Sequence, residues 1–198
     1  DSSVGTGTIS LGSGTFTANR YPNLKLWLDA NDTSTIDKGT AAGQTGTPSN
    51  SNPIGYWADK SGTGHHAVVY QNNNSYKPKY YSAGMNSKPT VQFDGSNDYL
   101  LLSNGKSDFN GWDKLTLLVA WEDYNSANWR NVLGNTGSTT GGWALTQRSS
   151  EFRFRIVGTS GGDDRTFSWT EQQTHLGSFV YTGAVRFGTL DGVFQTMS

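Results

Sequence analysis

Five aspartates and two tryptophans have the types and spacing to do chemistry in this sequence. Asp29, Asp32, Asp59, Asp94 and Asp98 all stand beside turn-forming residues. Calcium takes about six to eight oxygen ligands, and clustered loop carboxylates with backbone carbonyls could supply them. The same residues are equally suited to capping turns. Asp59 precedes Ser61-Gly62, while Asp94-Gly95 and Asn97-Asp98 have tight-turn chemistry. No D-x-D-x-D-G spacing of an EF-hand loop occurs. Turn caps and a calcium site drawn from these five residues therefore stand side by side. Trp112 and Trp129 lie in polar segments, NGWD and NSANWRN, beside Asn128 and Arg130. An indole ring packs on the apolar face of a sugar, and neighbouring amides and guanidinium groups bind its hydroxyls. The same ring could fold back over a core, and protein interfaces use it too.

Catalytic constellations are missing. His65 and His66 are adjacent, and neighbouring strand side chains point to opposite faces, so they do not share one metal ion. His175 reads as structural. Glycoside hydrolysis needs two carboxyl groups about 5–9 Å apart. Glu122-Asp123 is adjacent rather than alternating, and Glu151 and Glu171 are isolated. Residues 158–162 formally fit G-x-S-x-G, but Gly-Gly-Asp-Asp follows the Ser where a nucleophile elbow needs a helix, so the segment reads as a loop. No P-loop or dinucleotide fingerprint is present.

The scaffold that must position these residues is constrained by composition. A chain of 198 residues buries about 70% of its unfolded surface and folds without staples. It has no Cys, which excludes disulfides, thiolate metal sites and a thiol nucleophile. Charged residues are 16% and the net charge is -1, which argues against a nucleic-acid surface. No apolar stretch approaches the ~20 residues of a membrane span. Gly is 25, aromatics are 13% and Trp is 7. Gly and aromatics are poor helix formers, and that many rings can build a core, so the class is all-β with long polar loops. The chain begins at Asp1 and reads as a mature or excised piece of a longer product.

Period-2 alternation predicts a strand at 24–28. Further strands are expected at 56–58, 67–70, 89–94, 99–102, 115–121, 151–157, 165–169, 176–181 and 184–190. The stretch 115–121 is nearly all apolar, as for a strand buried on both faces or one crossing the middle of a sandwich. In 151–157, Phe152, Phe154 and Ile156 share one side, with Arg153 and Arg155 on the other. Residues 31–55, rich in Thr, Gly, Ser and Asn, read as a long loop. Residues 1–20 read as an extended arm or linker, and 21–198 as the domain. Trp27, Trp57, Trp121, Trp143 and Trp169 fall in or near strands, mostly as core.

Three blocks carry a resemblance: residues 24–32 (LKLWLDAND), 56–67 (YWADKSGTGHHA) and 88–100 (KPTVQFDGSNDYL). In this order and spacing they resemble the opening of concanavalin A-like, laminin-G-like domains of bacterial and phage surface proteins. Residues 175–181 and 185–193 resemble the paired late strands of such domains. The resemblance implies a two-sheet antiparallel jelly-roll sandwich. Domains of that kind continue for several strands beyond the late turn, whereas this sequence stops at Ser198. Its last strands are thus expected to be missing, supplied by another chain, or replaced by the N-terminal arm. The related glucanases carry an E-x-D-x-x-E strand, which is absent here.

The sequence therefore leads to a non-catalytic recognition or adhesion module, carbohydrate-binding, on an extracellular or virion surface. Its candidate ligand residues are Trp112, Asn128, Trp129 and Arg130, and calcium is the one cofactor to test. Its partners are a glycan or a surface protein, or further copies through the arm or the open end. The alternative is a structural subunit, such as a decoration, fibre or filament protein, that uses the sandwich for assembly. The apolar residues Phe179, Tyr181, Val185, Phe187 and Val193 are expected to need an additional β-partner.

Overall fold

A computed structural model describes residues 23–103, 108–109, 114–122, 129–135, 142–149, 151–158, 161–183 and 186–195. The arm at 1–20, Trp112, Asn128, Ser160 and Val185 lie outside the described residues. The described chain is mostly β, in antiparallel sheets. The first half holds six short strands: β1 (Ile36–Asp37), β2 (Tyr56–Trp57), β3 (Ala67–Val69), β4 (Lys79–Tyr81), β5 (Thr90–Gln92) and β6 (Leu100–Leu102). The second half holds longer ones: β7 (Leu115–Glu122), β8 (Arg130–Gly134), β9 (Gly142–Arg148), β10 (Glu151–Gly158), β11 (Gly161–Ser168), β12 (Thr174–Tyr181), β13 (Arg186–Leu190) and β14 (Val193–Gln195).

Two four-stranded sheets, β11-β10-β9-β8 and β14-β13-β12-β7, face each other across one core in a sandwich-like arrangement. Alternation decides which side chains enter it. Phe152 and Phe154 of β10 meet Leu117 and Trp121 of β7 and Phe179 of β12. The Phe152 and Phe179 rings stack at 5.3 Å and 12°, and Trp121 lies 4.5 Å from Phe152. Gly177 makes the room: a Cβ there would sit 2.6 Å from the Phe179 ring and 2.8 Å from Trp121. A second sheet pair, β1-β2-β3-β6 and β4-β5, encloses a smaller core of Ile36, Ile54 and Tyr80. Leu26 and Leu102 pack against the larger core.

Turn chemistry sets the hairpins. Leu190 pairs with Val193 across Asp191-Gly192, whose φ angles are +53° and +81°. Two positive φ angles make the type I′ turn that suits strand twist, hence Asp-Gly. Gly158 pairs with Gly161, and β11 begins there, so residues 161–164 belong to a strand rather than to a loop. A strand, not a helix, follows Ser160, which removes the nucleophile-elbow reading of G-x-S-x-G.

Several expectations are corrected. Residues 24–28 form no strand. Their polar groups bond to the loop at 59–65 instead: Lys60 N–H donates to the Trp27 carbonyl at 2.9 Å, and Trp27 N–H to Asp59 at 2.9 Å. The strand at 115–121 is not buried on both faces, because Leu118 is 70% exposed and alternates with buried neighbours. Residues 31–55 are not one long loop. They contain β1 and a 3-10 turn, and bury Ile36, Asp37 and Ile54. Asp37 organises them, accepting from Gly39 N–H (2.6 Å), Thr45 N–H (3.0 Å) and Gly46 N–H (3.1 Å). Burial alone would raise its pKa, but these donors outweigh burial and hold it below the ordinary range. Strands β1, β4, β8, β9 and β14 had no counterpart in the sequence reading.

The expected need for a further β-partner divides. Phe179 is fully buried against β10 within the chain. Tyr181 and Phe187 are half-buried, the latter against Phe194 at 6.4 Å. Val193, by contrast, is 64% exposed at the sheet edge.

Candidate functional site

The five aspartates separate into three groups, each with its own hydrogen-bond donors. Asp29 and Asp32 flank the 3-10 turn and hold the Lys60 ammonium at 3.0 and 2.8 Å. That ammonium also lies 4.5 Å from the centre of the Trp27 ring. The Lys60 bond and the Ser34 hydroxyl hold the Asp32 carboxyl low. Burial would lower Lys60, but the two carboxylates outweigh it and leave Lys60 raised.

Asp59 is buried and takes five donors. Oδ1 accepts from Trp27 N–H and from Ser61 N–H at 2.8 Å. Oδ2 accepts from the Ser61 hydroxyl (2.7 Å), the Thr63 hydroxyl (2.9 Å) and His65 N–H (3.1 Å). Burial pushes this carboxyl up, but the donors, Ser61 first, more than offset it and hold it low. Asp94 Oδ1 caps its own turn, accepting N–H bonds from Ser96 (2.7 Å), Asn97 (3.1 Å) and Asp98 (3.2 Å). Those bonds, Ser96 first, hold Asp94 low. Burial raises Asp98, which accepts from Asp94 N–H at 2.9 Å.

Three of the five carboxylates, Asp29, Asp32 and Asp59, spend their oxygens on donors of the chain itself. An ammonium already occupies the position between Asp29 and Asp32, and both Asp59 oxygens are filled by donors. Among the described residues there is no group of three or more His, Cys, Asp or Glu able to hold a metal. We therefore expect the melting temperature to be the same in millimolar calcium and in chelator. A rise of several degrees on adding calcium would show that the chain binds it.

His65 and His66 part ways, as adjacent residues must. The His66 ring accepts the Asp59 N–H at 3.1 Å and packs 5.3 Å from Tyr56. His65 is buried, with Nε2 2.9 Å from the Asp108 carboxylate and Nδ1 2.6 Å from the Thr63 hydroxyl. Hydroxyl, imidazole and carboxylate in line resemble a nucleophile with its base. However, Nδ1 also lies 3.0 Å from the Lys25 carbonyl, which can only accept. The Thr63 hydroxyl in turn has two other acceptors, the Lys25 carbonyl at 2.8 Å and Asp59 at 2.9 Å. The arrangement ties the segment around Lys25 to the 59–65 loop and to Asp108. His175 has the same role at the other end, between Asp191 (2.7 Å) and the Thr170 carbonyl (2.6 Å).

Of the four candidate ligand residues, Trp129 and Arg130 are described. Trp129 stands just before β8 and is half-buried; Arg130 is exposed. The Arg153 guanidinium lies 3.8 Å from the Trp129 ring centre and that of Arg148 4.7 Å. Arg148 also pairs with Glu151 across the β9–β10 turn. The outward side chains of β8–β10 therefore form a patch of one indole, several guanidinium groups and Asn131. Arg148, Arg153 and Lys60 are the functional candidates missing from the sequence reading. The outward alternation of Arg153 was visible there, but its cross-strand meeting with Trp129 was not.

Among the described residues no helix is long and apolar enough to cross a membrane. Comparison with models of known families, with curated proteins and with solved structures finds no match for this chain.

Proposed function

We propose that this chain is a non-catalytic recognition and adhesion module that binds a carbohydrate through the outer face of β8–β10, on an extracellular or virion surface. We read the sandwich as a jelly roll of the concanavalin A-like, laminin-G-like kind, on the strength of the three sequence blocks. The observation that carries the functional reading is the Trp129 patch. An indole beside guanidinium and amide groups offers both stacking and hydroxyl recognition. No hydrolytic role is proposed, since no paired-carboxylate motif was found.

A glycan array on the purified chain, with Trp129→Ala and Asn131→Ala beside it, tests the reading. Wild type should bind a defined glycan class. Loss of the indole should cost about 2 kcal/mol, roughly 30-fold in Kd. Asn131→Ala should weaken the same glycans with the melting temperature unchanged, whereas Arg130 pairs with Gln147 and belongs to the other face of the sheet. If wild type binds nothing, or if both folded variants bind as wild type does, the patch is not a saccharide site.

A further inference from the structure

The sandwich has two outer faces of opposite character. The outer face of β8–β11 displays Arg148, Glu151, Arg153 and Arg155. The outer face of β7, β12, β13 and β14 does not resemble it. One row crosses that sheet from edge to edge: Leu118, Ser178, Thr189 and Phe194 stand opposite one another in register. Leu118 is 70% and Phe194 63% exposed, at the two ends of the row. Leu176 is exposed in the next row, and Val180 and Phe187 pair on the other side. Within the described strands β7, β12, β13 and β14, the one charged side chain in the outward register is Glu122, at the end of β7, where its carboxylate accepts the Thr174 hydroxyl at 3.0 Å.

We propose that this face docks against the same face of a second copy of the chain. Three observations favour a copy over a charged partner. A face that meets itself across a two-fold axis brings like charges together wherever charges lie within it. Here the charge on the described strands, Glu122, sits at the rim, and the chain's net charge is just -1. Two polar groups inside the face also partner each other. The Ser178 and Thr189 hydroxyls bond at 2.9 Å, so each keeps a hydrogen-bond partner when the surface is dried. Finally, large side chains left exposed on an otherwise uncharged sheet form the kind of patch that marks an interaction surface.

Size sets the strength. Four strands about 4.8 Å apart, with outward residues about 7 Å apart along each, give a footprint on the order of 400–500 Å². A standard interface buries about 800 Å² per partner, so the dimer is weak and concentration-dependent. This inference does not depend on the saccharide reading, because it uses the opposite sheet.

Sedimentation velocity on the full chain from about 1 to about 500 μM tests it, a range suited to a micromolar dimer. Wild type should shift from the mass of one chain to that of two. Leu118→Lys with Phe194→Lys should stay at one chain throughout, with an unchanged melting temperature. The single variant Leu118→Lys, at the more exposed position, should raise the dimer Kd at least tenfold and serves if the double variant does not fold. Arg148→Glu, on the opposite sheet, should dimerise like wild type. The proposal is overturned if wild type keeps the mass of one chain throughout, whatever else covers the face. It is equally overturned if the folded Leu118 variants dimerise as wild type does.

Discussion

Replacing Phe179 with alanine should cost the fold about 4 kcal/mol, near the upper end for a buried aromatic truncation. The ring is fully buried and touches both sheets: Phe152 at 5.3 Å, Phe154 at 5.8 Å and Trp121 at 6.3 Å. Those neighbours belong to paired strands and cannot collapse into the space left behind, so the cavity persists. Leu118→Ala lies on the other side of the same sheet and should change stability by less than about 0.5 kcal/mol. Urea denaturation of the two variants measures both numbers. Equal losses, or a loss below about 1 kcal/mol for Phe179→Ala, would show that the two sheets do not share this core.

Asp59→Asn should cost about 3 kcal/mol at neutral pH, because charge-assisted bonds are the strong ones and buried donors would lose their acceptor. Three donors converge on Oδ2, from Ser61, Thr63 and His65. An amide there presents N–H to N–H and O–H. The change also has a pH signature. The folded Asp59 carboxyl lies below its ordinary value, so the unfolded chain binds its proton first as the solution is acidified. Its contribution is complete above the unfolded pKa of about 4 and is lost as pH falls through the folded pKa. The gap between wild type and Asp59→Asn should therefore be widest near neutrality and narrow below about pH 4. Asp32, Asp37 and Asp94 are also held low and remain in both proteins, so the difference between the two curves isolates Asp59. A gap that stays constant down to pH 2.5 would mean that Asp59 carries no charge-dependent bond.

Much of the second half was legible in the sequence. The alternation of Phe152, Phe154 and Ile156 against Arg153 and Arg155 marked β10 and told its two faces apart. The late turn at Asp191-Gly192 was expected from the resemblance, but the strand after it, β14, was not. The Asp59 and Asp94 turns were also readable, since an aspartate two residues before a free N–H is a local device.

Chemistry that depends on long-range meeting was not legible. Lys60 is adjacent to Asp59 in sequence, yet it serves Asp29 and Asp32, about thirty residues away. The strand expected at 24–28 lost its ladder because the 59–65 loop supplies donors and acceptors that periodicity does not encode. The run 115–121 hides its exposure, because a side chain's neighbours across a sheet come from elsewhere in the chain. The sequence by itself determined the all-β class, the turns and the inward and outward faces of the long strands, since each of these is set by residues within a few positions. Only the tertiary structure decided that Arg153 lies over Trp129, that Gly177 makes room for two rings, and that Leu118 and Phe194 end one exposed row. Those facts follow from strand pairing and sheet packing, where distance along the chain no longer limits which residues meet.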